Sequence, residues 1–331
     1  MTPDPHPFES LSPARVVEAV ESLGFWLPGE PFALNSYENR VFQLHDEERR
    51  RWVVKFYRPN RWADAAIQEE HDFLAELVAE GVPVAAPWRS DQGTSLHRHQ
   101  GFRFALFPQL PGGAPELDNP DHLFALGELI GRLHAVGQRG EFVHRRRLEP
   151  GPLAEESRRI VLDGPWLNAR QRRAYERISG ELAVAILERP WPESAMIRAH
   201  GDCHLGNMLG RDGDFALVDF DDCLMAPAVQ DLWMLLSAQH EQEWQMQLSE
   251  LLEGYEQACD FDRRQLRWIE ALRGLRLMRH SAWLVARWED PAFPRVFPWV
   301  AEAGYWDQHI RDLEQQCLAL NARPRWLAGP E

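Results

Sequence analysis

His200-Gly201-Asp202-Cys203-His204-Leu205-Gly206-Asn207, with Asp219 twelve residues further on in Val218-Asp219-Phe220-Asp221-Asp222, is the stretch on which the reading of this chain turns. Short apolar runs flank it, Met196 to Ala199 and Phe215 to Val218, and predict small strands around a loop. An Asp-x4-Asn spacing has the form of a phosphoryl-transfer loop, in which a carboxylate meets the acceptor hydroxyl and an amide oxygen helps hold a metal ion. An aspartate just past an apolar run suits the second metal-binding position. Each piece alone is common, and Asp202 reads equally as a helix cap. The same loop has a rival reading, with His200, Asp202, Cys203 and His204 as zinc or iron ligands of a metallohydrolase. Against it, the candidates are crowded into one segment and no second His/Cys cluster lies nearby. Otherwise His200 and His204 hydrogen-bond loop backbone, and Cys203 is a small buried residue.

Upstream, one residue stands out by type. Of the 36 basic residues only Lys55 is lysine. An ammonium is a compact point charge, and a wide guanidinium cannot replace it in a tight phosphate site. The alternative is an ordinary strand lysine whose amine reaches solvent. Phosphoryl transfer needs a lysine on the phosphates, a carboxylate at the acceptor, and an amide with a second carboxylate on the metal. Lys55, Asp202, Asn207 and Asp219 supply these in that order.

The surroundings fit a folded enzyme. A chain of 331 residues with 44% apolar content can build one large domain or two lobes. A net charge of −15 argues against nucleic-acid binding. No apolar run is long enough to span a membrane, the N-terminus has no signal-peptide pattern, and Cys203, Cys223, Cys259 and Cys317 read as reduced thiols of a cytoplasmic protein. Ser12-Pro13 opens a helix that Gly24 ends. Val41 to Leu44 and Trp52 to Tyr57 read as antiparallel strands, Ala65 to Glu80 as a helix ended by Pro83, and Phe102 to Phe107 as a strand. After a linker at Pro111-Gly112-Gly113 the pattern turns helical, with Leu123 to His134 the first helix, a break at Glu188 to Pro192, and helices from Ala228 onward. The expectation is an α+β, two-lobed fold: residues 1–108 as a lobe with an antiparallel sheet and a helix, and residues 109–331 as a larger, mostly helical lobe. Trp268, Leu272, Leu275, Trp283 and Trp288 read as helix core, Arg279 and His280 as acceptor-side candidates, and His144-Arg145-Arg146-Arg147 as a solvated face.

With these residues in hand, the chain resembles the aminoglycoside-phosphotransferase/choline-kinase-like superfamily. HGD-x4-N and VDFDD carry the superfamily resemblance. LNSYENRVFQ, VVKFYRP, VPVAAP, PAVQDLWMLL and EDPAFPRVFPW resemble a bacterial serine/threonine protein kinase branch of it, from about Phe32 to Trp306. The resemblance implies a kinase-like fold using ATP and Mg²⁺. It makes Lys55 the phosphate-binding lysine, Glu70 its ion-pair partner with Glu69 as second choice, and Asp202 the catalytic base. Asn207 and Asp219 become the metal ligands, and Asp231 the buried brace of the catalytic loop. Ser36 falls in the loop over the nucleotide, and Phe107, Gln109 and Leu110 in the hinge that hydrogen-bonds adenine through its backbone. Two features depart from eukaryotic protein kinases: no glycine lies between Asn35 and Val41, and eleven residues separate Asp219 from Asp231, too few for a long activation segment.

The acceptor implied is a serine or threonine of a protein, the kinase itself included. A monomer acting without nucleic acid or membrane is expected, and the net charge suits a basic substrate segment. A kinase of an amino alcohol, sugar or aminoglycoside shares every motif above. A pseudokinase is disfavoured because all the central positions are filled.

Overall fold

Alternation along Trp52 to Tyr57 sets the first layer. In a strand successive side chains point to opposite faces. Val54 and Phe56 therefore join one cluster with Val16, Val20 and Phe104, while Val53 and Tyr57 pack on the other side with Phe73 and Leu74. Lys55 shares that second side. The computed structural model describes residues 7–191, 195–211 and 213–327. In it β2 (Arg40–His45) and β3 (Arg51–Phe56) pair antiparallel, with Val41 opposite Lys55. Asp46 closes their turn, accepting from the Arg50 amide at 2.8 Å and from Trp52 Nε1 at 2.9 Å. β1 (Phe32–Ala33), β4 (His97–His99) and β5 (Phe102–Pro108) complete a five-stranded antiparallel sheet in the order β1-β2-β3-β5-β4.

Helix α1 (Pro13–Glu21) covers one face of the sheet. Its start is the one the sequence predicts: Ser12 Oγ accepts from the Arg15 amide at 3.3 Å and proline takes the first turn. Helix α2 (Asp64–Ala79) lies on the other side, burying Ile67, Glu70, Phe73, Leu74 and Leu77. Beyond the linker come α3 (Pro120–Gly137), α4 (Pro150–Asp163) and α5 (Ala169–Leu187), which stops at the expected break; Pro192 of that break lies outside the described residues.

The apolar runs around the central loop form two small antiparallel pairs. β6 (Met196–Ala199) pairs with β9 (Leu224–Pro227), and β7 (Met208–Arg211) with β8 (Asp214–Leu217). The remaining helices are α6 (Val229–Leu232), α7 (Glu241–Tyr255), α8 (Ile269–Ala286), α9 (Ala292–Val296) and α10 (Ala303–Asn321). α3 and α7 approach closely because Gly127 and Gly254 leave room; a Cβ at either would overlap a carbonyl of the partner helix. Tyr175, Leu182, Met278 and Trp306 fill a second helical core between α5, α8 and α10. The stretch from Asp219 to Asp231 is taken up by a short turn, β9 and the start of α6, with no long loop. Among the described residues no helix is long and apolar enough to cross a membrane.

Two buried histidines tie stability to pH. His71 sits between Tyr57 Oη at 2.7 Å and Ser95 Oγ at 2.8 Å, and burial pushes its pKa down to about 3. Burial likewise pushes His309, stacked on Tyr175 and Tyr305, down to about 4. A lowered folded-state pKa means the native state binds fewer protons than the unfolded one. The contribution is complete above the ordinary value of 6.5 and is lost as the pH falls toward 4. Urea unfolding should therefore lose about 2 kcal/mol per histidine between pH 6.5 and 5. His309→Phe should flatten that slope, and an unchanged slope would rule out His309 as its source.

Candidate active site

The residues singled out in the sequence line one cleft of about 810 Å³ between the sheet and the helices: Ser36, Lys55, Glu70, Phe107, Gln109, Leu110, Asp202, Asn207 and Asp219. Lys55 lines it and is almost fully buried. Its Nζ lies 3.0 Å from Asp219 Oδ1, 3.0 Å from Asp221 Oδ1 and 3.7 Å from Glu70 Oε1. Burial disfavours the ammonium, but Asp219 and Asp221 more than compensate and raise its pKa. Burial also opposes ionisation of Asp221, yet Lys55, Arg61 and Arg145 hold it well below the usual carboxylate range. Glu70 goes the other way, because burial pushes its carboxyl up more than Lys55 and Arg145 pull it down.

Geometry separates the two glutamates of α2. Glu70 faces Lys55, whereas Glu69 accepts from the amides of Val143, His144 and Arg145 at 2.7, 2.8 and 3.0 Å. Helical spacing alone could not make this choice, since adjacent residues differ by only 100° around the axis.

The central loop is braced from beneath. Asp231, fully buried, accepts from the amides of His200 at 2.7 Å and Gly201 at 2.8 Å, and its Oδ2 lies 3.0 Å from His134 Nε2. Gly201 has φ +86°, and a Cβ there would collide with the Asp222 carbonyl, so this position admits only glycine. His200 Nε2 lies 3.0 Å from the Val218 carbonyl and its Nδ1 accepts from the Asp202 amide at 3.3 Å. His204 Nδ1 accepts from the Gly206 amide at 2.9 Å. Cys203 is buried, and burial raises its thiol pKa. Among the described residues no group of three or more His, Cys, Asp or Glu side chains could hold a metal, so the metallohydrolase reading finds no ligand set.

Asp202 Oδ1 pairs with Arg276 Nη1 at 2.6 Å and Oδ2 lies 3.4 Å from His204 Nε2. Burial would raise the Asp202 carboxyl, but His204 and Arg276 outweigh it and keep the group well below the usual range. Asn207 Nδ2 donates to the Asp202 carbonyl at 3.0 Å. Asp219 adopts the left-handed conformation, φ 60° and ψ 69°, which aspartate tolerates better than most residues. Its side chain is 55% exposed. An amide and a carboxylate are hard oxygen donors of the kind divalent cations take alongside phosphate and water.

The loop from Asn35 to Asn39 manages without glycine. Its carbonyls are engaged by side chains: Arg58 Nε donates to Glu38 O at 2.7 Å, Arg58 Nη2 and Arg40 Nη1 both to Tyr37 O at 3.2 Å, and, within the loop, Ser36 Oγ to Asn39 O at 3.0 Å. Its amides donate to none of the described residues, which suits a cradle for phosphate. The loop is strapped to the far end of the chain. Glu38 pairs with Arg287 at 2.6 Å and accepts from Trp283 Nε1 at 2.8 Å, and Tyr37 packs on Phe297. At the hinge, the Gln109 amide is taken by Arg51 O at 3.0 Å, while Gln109 Oε1 is buried with no partner among the described residues. An orphaned acceptor at the cleft edge fits a ligand bearing hydrogen-bond donors, as a nucleobase does.

The described geometry can be set beside known proteins. The family model described as "Phosphotransferase enzyme family" matches residues 30–269. This chain belongs to that family. Stress response kinase A of Escherichia coli (strain K12) and the serine/threonine protein kinase RdoA of Salmonella typhimurium are each 41% identical to it over 96% of both chains. Among solved structures, amicoumacin kinase hAmiN in complex with AMP-PNP, Ca²⁺ and Ami superposes with a TM-score of 0.74 at 20% identity, covering 97% of each chain. The fold of this phosphotransferase is thus the aminoglycoside-phosphotransferase kinase fold, α+β with a larger helical part.

One expectation is corrected by this structure. Arg145 is not part of a solvated basic face: it is 5% exposed, donates to the carbonyls of Cys223 and Ala66 and lies 3.3 Å from Glu70 Oε2. A run of charged residues gave no sign that one of them turns inward. Trp283 is more than core, since it lines the cleft and holds Glu38. Asp221, Arg61 and Arg276 were not foreseen as site residues; the acidic doublet after Asp219 was the one available signal. Arg145→Ala leaves buried Glu70 with a single cation and should cost about 3–5 kcal/mol in unfolding free energy. Arg159→Ala, on an exposed pair with Asp163, should stay within about 0.5 kcal/mol. Equal effects would show that Arg145 is not the internal tie described.

Proposed function

We propose that this phosphotransferase transfers the γ-phosphoryl group of ATP, with Mg²⁺, to a serine or threonine hydroxyl of a protein, its own chain included, in a bacterial stress response. The observation that carries the reading is the sole lysine within 3.0 Å of Asp219, in the cleft that Asp202 and Asn207 also line. Support for a protein acceptor comes from the names of the relatives, "Stress response kinase A" and "Serine/threonine protein kinase RdoA". Support for nucleotide and divalent cation comes from the AMP-PNP and Ca²⁺ of the amicoumacin kinase and from the oxygen donors described above.

Asp202, kept ionised by its neighbours, orients the acceptor hydroxyl. As the acceptor oxygen bonds to the γ-phosphorus and the bond to ADP breaks, the hydroxyl proton passes to Asp202. Lys55 holds the non-transferred phosphates, and the amides of residues 35–39, which donate to none of the described residues, cover them. Asn207 and Asp219 would hold the cation, which supplies charge neutralisation when bound.

Asp202→Ala should keep ATP affinity and lose turnover by at least about a hundredfold, measured as label from γ-labelled ATP in protein acceptors. Lys55→Arg should also be crippled although it keeps the charge, because the carboxylates at 3.0 Å leave a guanidinium no room. Full activity in either variant contradicts the assignment. A small-molecule kinase is the second reading, favoured by a cleft volume of about 810 Å³, within the range of small-ligand sites. Label confined to small alcohols would establish it instead.

A further inference from the structure

The face of α8 that closes the acceptor end of the cleft carries Arg276, Arg279 and Trp283, spaced to fall on one side of the helix. Arg276 and Arg279 remain 45% and 43% exposed. Each spends one nitrogen on a carboxylate, Arg276 on Asp202 at 2.6 Å and Arg279 on Asp222 at 3.1 Å. A guanidinium has five donors, so both keep capacity for a further partner. Arg61 adds a third guanidinium, 3.0 Å from Asp222 and 3.1 Å from Asp221. Arg146 lies over the Trp62 ring at 5.2 Å, and burial, followed by the nearby Arg279 charge, lowers its pKa.

The carboxylates of the cleft are in the opposite condition. Glu38, Glu70, Asp202, Asp219, Asp221 and Asp222 all have an arginine or lysine against them. An ammonium-bearing acceptor would meet the arginine edge and find every carboxylate engaged. An acceptor with its own carboxylate would find spare donors. Trp233, in the same lining, has its indole N–H buried with no hydrogen-bond partner among the described residues, which also suits an oxygen-bearing ligand. The net charge of −15 favours a basic partner at a distance, but the Debye length near 8 Å lets the local arginines decide at contact.

Resting on the protein-kinase reading above, we propose that Arg276 and Arg279 select the acceptor: the cleft takes a serine or threonine flanked by aspartate or glutamate. The flanking carboxylate pairs with these guanidiniums while the hydroxyl meets Asp202. Arg276 touches both the base and the incoming anion, so it couples recognition of the flank to placement of the hydroxyl.

The test is a set of single-serine peptides of equal length with acidic, neutral or basic flanks, run beside ethanolamine, with γ-labelled ATP and Mg²⁺. The wild-type chain should show kcat/KM about tenfold higher for acidic than for basic flanks, and added salt should erode the difference. Arg276→Gln and Arg279→Gln, made separately, should each move the ratio toward one through the KM of the acidic peptide. ATP binding is measured alongside to report folding of each variant. Equal or better use of basic flanks by the wild type, or a ratio unchanged in both variants, overturns the proposal while leaving the protein-kinase reading in place. Label in ethanolamine alone, or in no acceptor while ATP binds, overturns both.

Discussion

A buried ammonium shared among three carboxylates is the constraint around which this molecule is organised. Lys55 reaches Asp219, Asp221 and Glu70 from the middle of a sheet strand, and Glu70 passes its other oxygen to Arg145. The set joins the sheet, α2, the turn after β8 and the segment before α4. None of the buried members, Lys55, Glu70, Asp221 and Arg145, could stand alone there, since an unpaired ion in such a place costs several kcal/mol. Together they fix where the cleft floor lies. Asp219 is the exception in exposure, more than half open.

A second tie works from above. The loop over the cleft has no glycine, and it holds its shape by having its carbonyls bound from outside by Arg40 and Arg58. Glu38 then hooks the loop to Trp283 and Arg287 on and just beyond α8. Among the described residues the loop's amides have no partner, and the covering loop and α8 become one connected wall. Shape here comes from side chains of opposite sign rather than from backbone freedom.

Much of this was legible in the sequence, for identifiable reasons. The apolar run from Trp52 to Tyr57 made the strand that carries Lys55 readable, and the structure sets Val54 and Phe56 in one cluster and Val53 and Tyr57 in the other. Ser12-Pro13 and the proline and glycine stops bounded α1 and α2 to within a residue or two. The HGD-x4-N loop stood out because phosphoryl transfer needs few groups, each of a definite type. What escaped were partners made by tertiary approach. Arg276 meets Asp202 across 74 positions, and Arg145 meets Glu70 across 75. Nothing local distinguishes these arginines from the other basic residues of an arginine-rich chain. The Glu69–Glu70 choice also needed coordinates, because it depends on how α2 is rotated against the sheet.

The most direct measurement is a crystal structure of the chain with AMP-PNP and Mn²⁺. The account predicts an anomalous peak at coordination distance from side-chain oxygens of Asp219 and Asn207, with the Lys55 amine on a phosphate oxygen. A nucleotide bound elsewhere, or a metal peak remote from Asp219, would contradict it.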